Sequence, residues 1–209
     1  MTKVILVRHG QTLWNQEGKY QGHSDIALSA EGKRQAESVA ARWAGAKFAA
    51  VYASDLSRAR VTAEAIARWH DLPVVGVPEL REIHFGKWEG LTYDAILANW
   101  PKEIGQVYSG DGEARIPGGE TFRQLQERAV GAIDRLVERH PGETIALVSH
   151  GGTIRVVIAS ALSLPLRFLW HIRQDHAAVS VIEYYPGFAM VCSLNDTQHL
   201  QQQFQPSPP

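Results

Sequence analysis

Two histidines of this chain each follow an apolar segment, and an arginine precedes the first of them. Arg8 and His9 come directly after apolar residues 4–7, and His150 stands one residue beyond apolar residues 144–148. Such runs of branched aliphatic residues are typical of strands buried in a parallel sheet, and these sheets bind ligands at the carboxyl ends of their strands. An arginine beside a histidine at that place favours a histidine that attacks an anion. Taken alone, the first motif also fits an ordinary strand that ends in two polar residues.

The two histidines can form one site only if the two predicted strands are neighbours in the sheet, which is common for parallel strands. A third segment adds a second guanidinium group. Residues 48–53 predict another strand, Ser54 and Asp55 are expected to cap the helix that follows, and Arg58 falls in the first turn of that helix. Arg60 lies two residues further along, and the spacing alone does not decide which of the two arginines faces solvent.

The order of these motifs resembles that of the histidine phosphatase superfamily, in the branch shared with cofactor-dependent phosphoglycerate mutases. The resemblance extends from residue 3 to about residue 198. It implies a phosphoglycerate mutase-like α/β fold, a three-layer sandwich around a mostly parallel central sheet, and a phosphohistidine intermediate. The matching motifs, in chain order, are Arg8-His9-Gly10-Gln11-Thr12, Trp14-Asn15, Gln21-Gly22, Ser54-Asp55-Leu56-Ser57-Arg58-Ala59, Leu80-Arg81-Glu82-Ile83, Pro117-Gly118-Gly119-Glu120-Thr121 and Ser149-His150-Gly151-Gly152.

The residue types fit phosphomonoester chemistry, in which a catalyst neutralises charged oxygens and holds the nucleophile in line. Arg8 and Arg58 can each present a planar fork to phosphate oxygens. His9 must be neutral to attack, whereas His150, if protonated beside the dianion, adds positive charge. The sequence contains no HExxH or CxxC motif and no cluster of carboxylates, so we expect no bound metal and no other cofactor.

A leaving alkoxide needs a proton, and Glu82 is the candidate donor. A carboxyl group in a partly closed pocket beside a phosphate is pushed toward its protonated form, and the same group would later help a water molecule attack the phosphohistidine. The alternative is that Glu82 forms an ion pair with Arg81. Glu89 is a rival carboxylate in the same region, and we expect it to support the site or to start a helix.

The resemblance also implies residues around the substrate. Asn15, Gln21 and Gly22 match family positions that line the phosphate and the substrate mouth. His84 is expected either to orient the carboxylate of the general acid or only to pack. His176 stands where relatives often carry Asn, so we expect an altered pocket wall there.

Hydrolysis and mutase chemistry differ in the segment that follows the Glu82 motif. Mutases of this superfamily carry a longer insertion there, with lysine and paired arginines, whereas residues 91–120 contain only Lys102 and Arg115 as cations. We therefore predict a metal-independent phosphatase that acts on a small phosphorylated metabolite. Phosphoglycerate mutase and a non-catalytic relative that binds phospho-ligands are the alternatives. The sequence does not choose among phosphoserine, α-ribazole phosphate, sugar phosphates and glucosyl-phosphoglycerate as the substrate.

An aromatic rim over the site is predicted from Phe85, Trp88, Tyr93, Trp100 and Tyr108.

Composition limits the other partners. The chain has 209 residues and a formal net charge of −1, so nothing predicts a nucleic-acid surface. No apolar run reaches the about 18 residues that a membrane span requires, and no signal segment precedes the first strand. We expect a cytoplasmic enzyme, either a monomer or a homodimer. The single Cys192 is expected to lie in a late strand in a buried position.

The predicted elements form one domain over residues 1–200, with an irregular lid insertion at about 91–120 and a flexible tail at 201–209. Helices are predicted over residues 29–45, 56–70 and 121–140, and strands over 177–184 and 188–194 form a hairpin. The helix over 121–140 presents an inward apolar face at three- and four-residue spacing, made of Phe122, Leu125, Ala129, Ile133 and Leu136.

Overall fold

A computed structural model describes residues 1–201 of the chain, which form one six-stranded sheet with helices on both faces. The strands are β1 (Thr2–Arg8), β2 (Ala50–Ala53), β3 (Val74–Gly76), β4 (Thr144–Ser149), β5 (Val179–Tyr185) and β6 (Phe188–Asp196). The helices are α1 (Leu13–Gln16), α2 (Ala30–Trp43), α3 (Ser57–Ala67), α4 (Tyr93–Asn99), α5 (Pro101–Tyr108), α6 (Phe122–Arg139), α7 (Gly151–Ala161) and α8 (Gln198–Gln201). Three short 3₁₀ turns cover Pro78–Leu80, Gly86–Trp88 and Leu166–His171. The predicted tail lies almost entirely outside the described residues.

The strand order is β3-β2-β4-β1-β5-β6. The first four of these strands run parallel, β5 is antiparallel to β1, and β6 is antiparallel to β5, which confirms the predicted α/β sandwich with a mostly parallel sheet. Strands β1 and β4 are direct neighbours, with Arg8 paired to Ser149. His9 and His150 therefore lie side by side at the carboxyl ends of two adjacent strands, as the strand pattern predicted.

The sheet is buried on both faces because successive residues of its central strands point to opposite sides. In β1, Val4 and Leu6 join the apolar core that includes α6 and α7, whereas Ile5 and Val7 join the core that includes α2 and α3. All five residues of the predicted inward face of α6 are buried. Burying each such aliphatic side chain stabilises the folded protein by about 1.5–3 kcal/mol. The two apolar cores therefore hold in place the strand ends that carry the histidines.

The segment predicted to be an irregular lid, residues 91–120, is half helical: α4 and α5 cover residues 93–99 and 101–108, whereas residues 109–120 are irregular as predicted. Thr92 caps α4 through its side chain, which accepts the N–H of Ala95. Pro101 occupies the first turn of α5, a position that proline favours because no N–H is needed there. Ile96 and Ile104 are buried in the same core as α6. Pro101 therefore starts a helix within the segment predicted to be irregular.

Two smaller expectations also need correction. Ser54 and Asp55 do not occupy the cap position of α3, which belongs to Leu56 without a side-chain cap; the N–H of Ser57 instead donates to the carboxylate of Asp25 at 2.8 Å. Cys192 does lie in β6, but it is exposed, since that strand is at the edge of the sheet. The loop after β1 contains the short helix α1. Within the described range, none of the helices is both long and apolar enough to cross a membrane.

Candidate active site

The imidazole rings of His9 and His150 meet edge to face, with 5.1 Å between the ring centroids. Both side chains are almost fully buried. Nδ1 of His9 lies 2.7 Å from the carbonyl oxygen of Gly10, and since a carbonyl can only accept, Nδ1 carries the proton. Nε2 of His9 therefore keeps its lone pair. Burial, together with the charges of Arg58 and Arg8, lowers the pKa of His9 well below its ordinary value, so the ring is neutral and nucleophilic.

His150 is held by Arg58, whose Nε donates to Nδ1 of His150 at 3.2 Å. Its other ring nitrogen, Nε2, is buried and has no hydrogen-bond partner among the described residues. Burial and the charge of Arg58 also lower the pKa of His150 well below the ordinary value. Both rings are thus neutral in the protein alone, and the expected protonation of His150 depends on the charge of a bound dianion.

Arg58 is the arginine of α3 that faces the site. It is buried, and its terminal nitrogens donate to the carbonyl oxygens of Gly22 at 2.7 Å and Ser24 at 2.8 Å. Burial lowers its pKa to about 10, which leaves it charged at neutral pH. Arg60 instead forms an exposed ion pair with Glu64. The structure therefore resolves the alternative that the sequence left open.

Arg8 lies on the other side of His9. Its terminal nitrogens donate to the carbonyl oxygen of Gln174 at 2.6 Å and to Nε2 of His176 at 3.2 Å, while its Nε is buried without a partner among the described residues. Burial lowers the pKa of Arg8 to about 10 and that of His176 to about 3. His176 is therefore a neutral acceptor that orients Arg8, and its ring lies 6.4 Å from that of His9.

The loop after β1 brings Asn15, Gln21 and Gly22 to the same place. The hydroxyl of Thr12 caps α1 and also donates to Oε1 of Gln21 at 2.9 Å. Gly22 has a φ of +53°, a conformation that favours glycine. The carboxylate of Glu89 accepts the backbone N–H groups of His23 at 2.9 Å and Ser24 at 2.8 Å, so this rival carboxylate fixes the loop.

Glu82 reaches the site from the loop before α4. Its carboxylate accepts the N–H groups of Gly152 at 3.0 Å and Thr153 at 3.2 Å, in the first turn of α7. The positive end of that helix stabilises a carboxylate in this position. The alternative ion pair of Glu82 with Arg81 is wrong, because Arg81 binds the carboxylate of Asp55 through two nitrogens.

The backbone of Glu82 is held by residues that the sequence did not identify. One terminal nitrogen of Arg128 donates to the Glu82 carbonyl at 2.8 Å, and the other donates to the carbonyls of Glu79 and Arg81. Arg128 also forms a partly buried ion pair with Glu120 at 2.6 Å. His84 does not orient the Glu82 carboxylate: within residues 1–201 its ring instead contacts the carboxylate of Glu89 at 3.7 Å. A single arginine in an amphipathic helix gives no sequence signal for such a role.

A cavity of about 280 Å³ joins these groups, and its size suits a small metabolite. It is lined by Arg8, His9, Asn15, Gly18, Lys19, Tyr20, Gln21, Gly22, Arg58, Glu82, Phe85 and Tyr108. The predicted aromatic rim is only partly correct. Phe85 and Tyr108 line the cavity, whereas Trp88 is fully buried and Trp100 packs against the core. Tyr20 was missed, and its hydroxyl meets that of Tyr108 at 2.5 Å.

Two further observations bound the chemistry of the site. Among residues 1–201, no three His, Cys, Asp or Glu side chains are arranged so that they could hold a metal ion. A larger cavity of about 660 Å³ lies beside the β5–β6 turn, between Val157, Leu162 and Phe188, and contains none of the residues above. The cavity around His9 is the one of these two that combines arginines, a buried histidine and a carboxylate.

Comparison with known proteins identifies the same superfamily as the sequence motifs. The family described as histidine phosphatase superfamily (branch 1) matches residues 4–197. The chain is 31% identical over 200 residues to phosphoserine phosphatase 1 of Hydrogenobacter thermophilus, covering 96% of this chain and 95% of that protein. It is 35% identical over 194 residues to the adenosylcobalamin/alpha-ribazole phosphatase of Escherichia coli, covering 92% and 95%. The solved structure of Bacillus stearothermophilus YhfR superimposes with a TM-score of 0.91 at 33% identity, covering 96% of this chain and 100% of that one.

Proposed function

The chain belongs to the histidine phosphatase superfamily and is a phosphatase of that superfamily, and from this premise we propose that it hydrolyses small phosphomonoesters through a phosphohistidine on His9, without a metal ion. One observation carries the proposal. His9 is neutral, its Nδ1–H is committed to the carbonyl of Gly10, and its Nε2 is free among two arginines and His150. A buried neutral nucleophile surrounded by fixed cations suits attack on an anionic phosphorus centre.

The reaction then has two displacements. Nε2 of His9 bonds to phosphorus while the bond from phosphorus to the leaving oxygen breaks, and Glu82 gives its proton to that oxygen. Arg8 and Arg58 neutralise the remaining phosphoryl oxygens, with His150 as a further donor through Nε2. A water molecule next attacks phosphorus as the N–P bond breaks, and Glu82 takes up the proton of the water. Orthophosphate leaves, and His9 returns to its neutral form.

The alternative is a phosphoglycerate mutase, in which the phosphoryl group is returned to a substrate instead of water. The two cations of the 91–120 segment, Lys102 and Arg115, are both exposed and do not line the cavity of the site. This favours hydrolysis over transfer. A non-catalytic relative is disfavoured because His9, Arg58, Glu82 and His150 are all present and come together.

The exposed free thiol of Cys192 suits a reducing compartment, so we also propose that the enzyme acts in the cytoplasm.

The proposal is tested with p-nitrophenyl phosphate in the presence of EDTA. We expect turnover that EDTA does not reduce, loss of turnover in His9→Ala, and a phosphorylated His9 in peptides from acid-free rapid quench. His171→Ala, which changes an exposed histidine, is the matched control and should keep full turnover. Activity in His9→Ala would identify a different nucleophile. Interconversion of phosphoglycerates faster than phosphate release would establish the mutase instead.

A further inference from the structure

Two tyrosines from different elements meet in the cavity that contains His9. Tyr20 lies in the loop after β1, Tyr108 is the last residue of α5, and both line that cavity. Their hydroxyl oxygens lie 2.5 Å apart, which is the distance of a short hydrogen bond. The reaction described above assigns no role to this tyrosine pair.

The tyrosine pair stands on the solvent side of the cavity, whereas the nucleophile lies at its floor. His9 and Arg58 are 3% and 1% exposed, but Tyr108 is 40% exposed. An in-line displacement places the leaving oxygen on the side of phosphorus away from the attacking nitrogen. A leaving group therefore extends from the buried floor toward the open side, where the two hydroxyls lie.

Aromatic contacts hold both rings of the tyrosine pair in place. The ring of Tyr108 stacks on Trp170 with 4.5 Å between the centroids, and Nε1 of Trp170 donates to the carbonyl oxygen of Val107 at 3.0 Å. The ring of Tyr20 meets Phe85 edge to face at 4.9 Å. Burial raises the pKa of both hydroxyls above the ordinary value, so each keeps its proton at neutral pH and one donates to the other.

The backbones that carry the tyrosine pair are anchored as well. The N–H of Tyr20 donates to the carbonyl oxygen of Leu91 at 3.0 Å, and its carbonyl oxygen accepts the N–H of Gly90 at 2.8 Å. On the other side, α5 buries Ile104 and Val107 in the apolar core. Because both backbones are fixed, the mouth of the cavity widens when the hydroxyl–hydroxyl bond breaks.

We propose that the hydrogen bond between Tyr20 and Tyr108 is a gate that selects for small leaving groups. A cavity of about 280 Å³ holds the phosphoryl group and leaves room for a short leaving group while the gate is closed. A longer group occupies the space between the hydroxyls, so the hydrogen bond must break before the ester can react. The enzyme then loses the free energy of that bond with bulky esters and keeps it with small ones, which is specificity by a penalty on the wrong substrate.

This inference rests on the proposed phosphatase function and adds the residues that limit its substrates. Its test compares phenyl phosphate with biphenyl-4-yl phosphate, whose leaving groups are similar in acidity and differ by one distal ring. We expect the wild type to have the higher kcat/KM with phenyl phosphate. Tyr20→Phe and Tyr108→Phe keep the rings but remove the hydrogen bond, and each should reduce this preference by about 3- to 10-fold, the range for one neutral hydrogen bond.

The double variant gives the sharpest measurement. Because either substitution removes the whole bond, the preference in Tyr20→Phe/Tyr108→Phe should equal that in each single variant instead of falling further. Tyr93→Phe is the matched control, since Tyr93 packs edge to face on Tyr108 at 5.8 Å but does not line the cavity, and it should keep the wild-type preference. Orthophosphate binds at the floor, so its inhibition constant should be the same in all of these proteins.

Three results would overturn the inference. One is an unchanged preference in either single variant that thermal unfolding shows to be folded. Another is a double variant in which the two single effects multiply, because the hydroxyls would then act separately. The third is a wild type that does not prefer phenyl phosphate, and this result decides even if no variant folds. In all three cases the wild type still hydrolyses phenyl phosphate, whereas failure of the proposed function would remove turnover of both esters.

Discussion

His9 and His150 lie 5.1 Å apart, centroid to centroid, and the charged groups nearest to both are arginines. Two imidazoles between Arg8 and Arg58 cannot both be positively charged without strong repulsion, and burial adds to the free-energy cost of the charged form. The protein alone therefore keeps the pair neutral. Because Nδ1 of His150 accepts from Arg58, the neutral ring carries its proton on Nε2, which is buried without a partner among the described residues; when a phosphoryl dianion reverses the balance, the second proton goes to Nδ1 and the contact with Nε of Arg58 opens.

The first prediction is that anion binding is accompanied by proton uptake at His150. The pKa of His150 is well below its ordinary value in the protein alone, and a dianion beside it raises that pKa through neutral pH. Tungstate, which is itself fully ionised at pH 7, should take up close to one proton per site in titration calorimetry repeated in buffers of different ionisation enthalpy. His150→Asn should bind tungstate more weakly and with little proton uptake. Equal uptake in both proteins would assign the proton elsewhere.

The sequence predicted those parts of the molecule that depend on local patterns. Strand and helix periodicity gave the sheet, the buried face of α6 and the approach of His9 to His150. Residues whose partners are remote in the chain were missed. Arg128 reaches carbonyls 46 to 49 positions away, and no local pattern indicates such partners. The helices around Pro101 were missed because proline both ends and starts helices.

The second prediction is that Arg128 acts on catalysis by positioning Glu82. Arg128 fixes the backbone carbonyl of Glu82 at 2.8 Å, so Arg128→Gln should let the acid move away from the leaving oxygen. Turnover of an alkyl phosphate, which needs the proton, should fall by about 10- to 100-fold, within the range of general acid catalysis. Turnover of p-nitrophenyl phosphate, whose leaving group needs little protonation, should fall much less.

Arg135→Gln is the matched control for this prediction. Arg135 is on the same helix, α6, and forms an exposed ion pair with Glu79, so turnover of both substrates should be unaffected. Glu82→Gln should reproduce the selective loss of the alkyl ester more strongly than Arg128→Gln. A parallel loss of both substrates in Arg128→Gln would mean that Arg128 supports the fold in general.

The third prediction concerns Gly22, whose carbonyl accepts a hydrogen bond from Arg58. Its φ is +53°, and an added methyl group would collide with the carboxylate of Glu89. Gly142, which does not line the cavity, has a φ of +85° but nothing within 4 Å of the same position. Both alanine variants carry the left-handed strain of about 1 kcal/mol, and only Gly22→Ala also displaces Glu89 and the loop. We expect kcat/KM to fall at least tenfold in Gly22→Ala and little in Gly142→Ala; similar kinetics in the two variants would contradict the role given to Glu89.

The fourth prediction is that His176 makes the fold sensitive to acid. Its pKa is about 3 in the folded protein because burial and Arg8 disfavour the charged ring, whereas an unfolded histidine has a pKa of about 6.5. The unfolded state therefore binds a proton first, and the free energy of unfolding decreases as the pH falls from about 6.5 toward 3. At pH 5 this contribution is about 2 kcal/mol. His176→Asn can still accept the hydrogen bond from Arg8 and does not titrate, so urea unfolding at pH 7 and pH 5 should show a smaller loss than in the wild type. Exposed His171→Asn should follow the wild type, and equal losses in His176→Asn and the wild type would show that burial of His176 does not govern the acid response.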